Sequence, residues 1–129
     1  MAQNRNVFID TKEAPDVLAK ELATVLQIKL QPVTDNPHIF YRFAGEKKWL
    51  TLGDHFLEND RDLNFEDFAY QIEVGAKGIH DWQEREQVRD EFACLIFDQL
   101  KNLGKYRLML VDDVQVKLAE FLPSPEMLP

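Results

Sequence analysis

Strict alternation is clearest in "FAYQIEVG", Phe68–Gly75, where Phe68, Tyr70, Ile72 and Val74 share one face and Ala69, Gln71 and Glu73 the other. A period of two is the mark of a half-buried strand. "HIFYRF" and "WLTLGDHF", joined by "AGEKK", read as a hairpin with a Gly-containing loop. "NVFID" predicts a first strand, "IKLQPV" a second that Pro32 ends or places at an edge, and "TDNP" a turn. "YRLMLV" is apolar on both faces, as a covered strand would be, and "VQVKLAEF" alternates as the last strand. Two segments carry the helical period instead. Leu18, Leu22, Val25 and Leu26 form one stripe after Pro15 and Asp16, which suit a first helical turn. From Asp81 to Gly104 a longer helix is predicted, with Asp81 as N-cap, Glu84 in capping-box position, and Val88, Phe92, Leu95, Ile96, Gln99 and Leu103 inward. The order is β-α-β-β-β-β-α-β-β. Short turns between successive strands favour antiparallel pairing. The expected fold is therefore α+β, a mostly antiparallel sheet with two amphipathic helices on one face, in a single two-layer domain over residues 1–129 with a loose tail at 122–129.

Composition agrees with a packed core. Of 129 residues, 45% are hydrophobic, and no apolar run approaches the 18 residues or so of a membrane span. The first residues, "MAQNRNVFID", lack the apolar stretch of a secretory signal. Cys94 is the single cysteine, so an internal disulfide and a cysteine zinc site are excluded and a cytoplasmic location is expected. Set in "EFACLIF", Cys94 reads as a small core residue.

Charge changes the picture more. The formal net charge is −8, which argues against a nucleic-acid partner, since phosphates need a basic surface. The excess is uneven. Residues 1–52 hold 7 basic and 6 acidic groups, residues 53–73 hold 1 and 7, and residues 74–129 hold 7 and 10. Most of the imbalance thus falls in one short connection between strands.

That connection contains "NDRDLNFEDF", with Asp60, Asp62 and Asn64 at every second position, as in the opening of a calcium loop. The loop also requires Gly at position 6 and Glu at position 12, where this chain has Phe65 and Gln71. Both decisive positions fail. A metal-dependent nuclease would need a lysine in register with Glu73, and Gly75 stands there. His38, His55 and His80 lack metal-ligand spacing. Ser124, in the tail, is the only serine, which removes a serine nucleophile. No metal and no cofactor are expected, and no enzyme activity.

What remains is surface. Asp54, Glu58, Asp60, Asp62, Glu66 and Asp67 are interleaved with Phe56, Leu57, Leu63, Phe65 and Phe68. Apolar anchors inside a charged rim are the usual build of a protein interface. The candidate partner-binding residues are these six acids with Phe65 and Trp82; Phe68 is expected to tie the segment to the sheet. In the C-terminal half, "FAYQIEV", "REQVRDEFACLIFDQLKNLGKY" and "RLMLVDDVQVKLAEF" resemble the small cytoplasmic immunity proteins of bacterial contact-dependent and other polymorphic toxin systems. The resemblance is one of pattern. It implies a non-enzymatic inhibitor that binds a cognate toxin domain, a nuclease with a basic cleft being the typical case, with carboxylates standing in for substrate phosphates. Two alternatives stay open: a small ligand binder or enzyme with a pocket between sheet and helices lined by Tyr41, Asp54 and His55, and a general adaptor or chaperone for a basic partner.

Overall fold

The computed structural model describes residues 4–35 and 38–123. The elements are β1 (Arg5–Asp10), α1 (Pro15–Leu26), β2 (Gln31–Asp35), β3 (His38–Ala44), β4 (Lys48–Asp54), β5 (Tyr70–Ala76), α2 (Trp82–Leu103), β6 (Arg107–Asp112) and β7 (Val116–Phe121), with a short 3-10 turn at Phe65–Asp67. Asn36 and Pro37 of the expected turn, and most of the expected tail at 122–129, lie outside the described residues.

The seven strands of the described residues join one sheet in the order β2-β3-β4-β5-β1-β6-β7, and each of these pairings is antiparallel. The first strand is threaded between β5 and β6, and Asn6, Val7, Phe8 and Ile9 are buried, so both of its faces are covered. The fold is α+β with both helices on one face of the sheet. Their side chains Leu18, Leu22, Phe92, Ile96 and Leu100 meet Val7, Ile9, Leu50, Leu52, Ile72, Val74 and Leu108 in one cluster.

The helix ends follow the chemistry of their residues. Pro15 opens α1, and Gln27 closes it in a left-handed conformation, φ 55°, with Ile28 N–H reaching the Ala23 carbonyl at 3.1 Å. Asp81 caps α2 by accepting from Gln83 N–H at 3.1 Å, and Gly104 ends it at φ 71°. Glu84 does not close a capping box. It turns to Lys47, 4.0 Å away.

Three expectations are corrected. The inner stripe of α2 is Arg89, Phe92, Ala93, Ile96, Phe97 and Leu100, whereas Leu95 and Leu103 are exposed. Cys94 is exposed and is no core residue. Residues 92–97 are apolar all round the helix, so periodicity cannot fix the phase there, and Arg89 decides it. Arg89 enters the interface because Asp90 takes it at 2.7 Å, while Arg5 bridges Asp90 at 3.1 Å and Asp112 at 3.3 Å. Paired and hydrogen-bonded, a guanidinium can be buried. Finally, Phe68 precedes β5 and points away from Ile72 and Val74, into a second cluster on the opposite face.

Candidate protein interface

That second cluster is what the acidic connection builds. Leu63, Phe65 and Phe68 pack on Phe8 of β1 and on Met109 and Val111 of β6, with Leu57 and Val114 at its edge. Phe8 and Phe65 stack with centroids 4.9 Å apart. Residues 55–68 therefore form a strap across half of the sheet face that the helices leave free.

The strap is tied along its length. His55 sits between its two ends: Leu57 N–H donates to Nδ1 at 3.1 Å, which leaves Nε2–H to donate to the Phe68 carbonyl at 2.7 Å. Asn59 and Glu66 exchange bonds, Asn59 N–H to Oε2 at 3.0 Å and Glu66 N–H to Oδ1 at 2.9 Å. Asp60 and Leu63 pair through both backbone bonds, 2.9 and 2.8 Å, around Arg61 at φ 54°. Asn64 donates to Asp67 at 2.9 Å. Leu63, Phe65 and Phe68 point inward and the acids outward. Asp54, Glu58, Asp60, Asp62, Glu66 and Asp67 are all exposed.

Two proposed anchors are corrected by this arrangement. Phe65 is buried, with 3% of its surface exposed, and cannot reach a partner. Trp82 is exposed, but α2 lies on the other face of the sheet, and the Glu84–Lys47 contact puts its start beside the β3–β4 turn. Asp54, where the strap begins, is at the far end of β4, about 20 Å away along a seven-residue strand. The exposed aromatic next to the acids is Phe56, 79% accessible, with its ring edge-on to His38 at 5.3 Å.

Beside the strap the sheet face is open, and sequence reasoning missed what it holds. Gln71 and Glu73 of β5, Thr51 and Gly53 of β4, and Phe40 of β3 line a groove of about 330 Å³ that ends at Asp54 and His38. Gly53 keeps the floor low: a Cβ there would stand 3.1 Å from the Phe40 Cβ. Two bonds fix the polar side chains. Gln71 Nε2 donates to the buried Asn6 at 2.7 Å, and Asn4 Nδ2 donates to Glu73 Oε2 at 3.0 Å. Asp54 Oδ2 lies 3.4 Å from His38 Nδ1. The alternation of β5 was the available signal, since it already placed Gln71 and Glu73 away from the core.

Tyr41, Asp54 and His55 do not converge. Tyr41 packs against the helix-side cluster, Asp54 is at the groove, and His55 is engaged by the strap. Among the described residues, no group of three or more His, Cys, Asp or Glu side chains is placed to hold a metal ion, and no helix is long and apolar enough to cross a membrane. Comparison with protein-family models, with curated proteins and with solved structures finds no match to this chain.

Proposed function

We propose that this chain is a non-enzymatic immunity-type inhibitor, which binds a basic protein domain through the sheet face that carries the strap. The observation that supports this reading is the ordering of the charge. Residues 53–73 hold seven acids and one basic group, and Leu63, Phe65 and Phe68 are sunk into the sheet while Asp54, Glu58, Asp60, Asp62, Glu66 and Asp67 stand outside. Charge that serves solubility alone works equally well on a loose loop. Carboxylates held in a fixed array can instead match a fixed set of cations, such as the phosphate-binding groups of a nuclease cleft, and steer the encounter with it. On this reading the partner is the cognate toxin domain of a bacterial system, and the inhibitor works in the cytoplasm.

Co-expression with the toxin domain encoded next to it tests the proposal. The native chain is expected to restore growth. Reversal of Asp60, Asp62 and Glu66 to lysine is expected to slow association by at least about tenfold at low salt and to weaken its salt dependence. An unchanged affinity after reversal removes the strap from the mechanism.

A further inference from the structure

The open groove beside the strap has a chemistry of its own. Its polar lining is rich in acceptors. Glu73 receives Asn4 on one oxygen and keeps the other, and among the described residues no lysine or arginine lies within ion-pair distance of it. Gln71 gives one amide N–H to Asn6, which leaves its carbonyl and its second N–H to the groove. Asp54 adds a second carboxylate at the end. The apolar part of the lining is the ring of Phe40, with Phe56 exposed beside His38. Acceptors alone would suit any donor and carboxylates any cation, but a flat floor and an aromatic wall add a preference for a planar one. A guanidinium has five N–H donors, no acceptor, and a face that stacks on aromatic rings. A volume of about 330 Å³ is at the small end for ligand sites, which suits one side chain better than a cofactor.

We infer that this groove receives a single arginine side chain of the partner, its guanidinium laid against Phe40 and held by Glu73 and Asp54. The inference rests on the protein-binding reading and moves the centre of the interface from the strap to the sheet, leaving the strap acids as a rim. It also explains why the strap covers only half of this face.

The test needs no partner. The 15N-labelled protein is titrated with N-acetyl-arginine methylamide, and separately with the citrulline and lysine analogues. The arginine compound is expected to shift the amides of Thr51, Gly53 and Gln71 saturably. Citrulline should not, and lysine should bind more weakly. Glu73→Gln, which keeps the shape of the side chain, is expected to weaken arginine binding about tenfold. Phe40→Leu should weaken it as well, while Asp60→Asn with Asp62→Asn leaves it within about twofold. No saturable shift, an equal response to citrulline or lysine, or shifts centred on the strap would overturn the assignment. Such a failure leaves the co-expression result standing; failure of co-expression with saturable arginine binding leaves the groove and removes the proposed partner.

Discussion

The two faces of the sheet solve the same problem in different ways. On one face, two helices bury β-strand side chains continuously from Leu50 to Leu110. On the other, a fourteen-residue strap covers β1 and β6 with three large apolar side chains and leaves β3, β4 and the outer side of β5 bare. The helix face uses backbone that satisfies itself, and so can be apolar throughout. The strap has no helix ladder, and apart from the backbone pair of Asp60 and Leu63 its backbone is tied by side chains: His55 at both ends, and Asn59 with Glu66. Polar residues are therefore needed in the strap for structure. The carboxylates of Glu58, Asp60 and Asp62 exceed that need, and the proposed recognition role rests on them.

If the helix face carries global stability and the strap face a local cover, core substitutions on the two should fail differently. Ile96→Ala removes a fully buried side chain from between α2 and the sheet. It should cost about 4 kcal/mol, near the upper part of the range for such truncations, and hydrogen exchange should accelerate everywhere. Phe65→Ala should cost about 3 kcal/mol, because the strap can lift and let water in instead of keeping a rigid cavity. Its signature is selective: faster exchange at Asp60, Leu63 and Phe68, with β4 and α2 unchanged. Global loosening by both variants would mean that the two faces form one cooperative unit.

Besides the Arg89 cluster, the helix side has a polar clamp at Tyr106, and it gives the comparison a pH axis. Tyr106 is buried, and its hydroxyl lies 2.8 Å from a Glu21 carboxylate oxygen and 3.0 Å from one of Glu13, so its one proton is shared between them. Burial, then the two carboxylates, pushes its pKa well above the ordinary 10.0. A raised folded-state pKa means that the unfolded chain releases its proton first. The stabilisation is complete below pH 10 and is lost as pH climbs from there toward the folded value. Burial and the nearby Asp54, Asp16 and Glu13 raise Tyr70 in the same sense, and the hydrogen bond to Glu21 raises Lys105 above 10.5. Tyr106→Phe is expected to cost about 1–2 kcal/mol at neutral pH and to flatten the fall in melting temperature between pH 9.5 and about 11. The fall should not vanish, since Tyr70 and Lys105 still titrate. An identical slope in the variant would assign the alkaline loss elsewhere.

Much of this was legible before any coordinates. Alternation placed β5, and the two-sided apolar run of β6 announced that both of its faces are covered, by Leu108 and Leu110 on one side and Met109 and Val111 on the other. The phase of α2 was not legible, because Phe92 to Phe97 offers no polar residue to break the tie and Arg89 looks like a solvent residue until Asp90, Asp112 and Arg5 are seen around it. The strap acids were found by counting charge. The facing of Phe65 and Phe68 was not legible, since an irregular segment has no period from which to read it; only the anchoring of Phe68 on the sheet was expected and is found. The groove escaped for a further reason. It is assembled from three strands, and Glu73 alone resembles any exposed glutamate.

The smallest effect tests the strap's own backbone. Arg61 has φ 54° in the tight turn between Asp60 and Leu63, a conformation that costs an ordinary residue about 1–2 kcal/mol. Glycine adopts it freely but loses about 0.5–1 kcal/mol more entropy on folding. The Arg61 side chain offsets little of the difference: it is exposed, 3.6 Å from Asp60, with a long 3.5 Å contact to the Gln115 carbonyl. Arg61→Gly should therefore raise stability by about 0.5 kcal/mol, read by urea denaturation. The gain should appear as slower exchange at Asp60 and Leu63 and nowhere on the helix face. The same change removes the one basic group of residues 53–73, so binding to a basic partner should become faster and more sensitive to salt. Stabilisation without that kinetic change would show that the strap's charge is not what the partner meets.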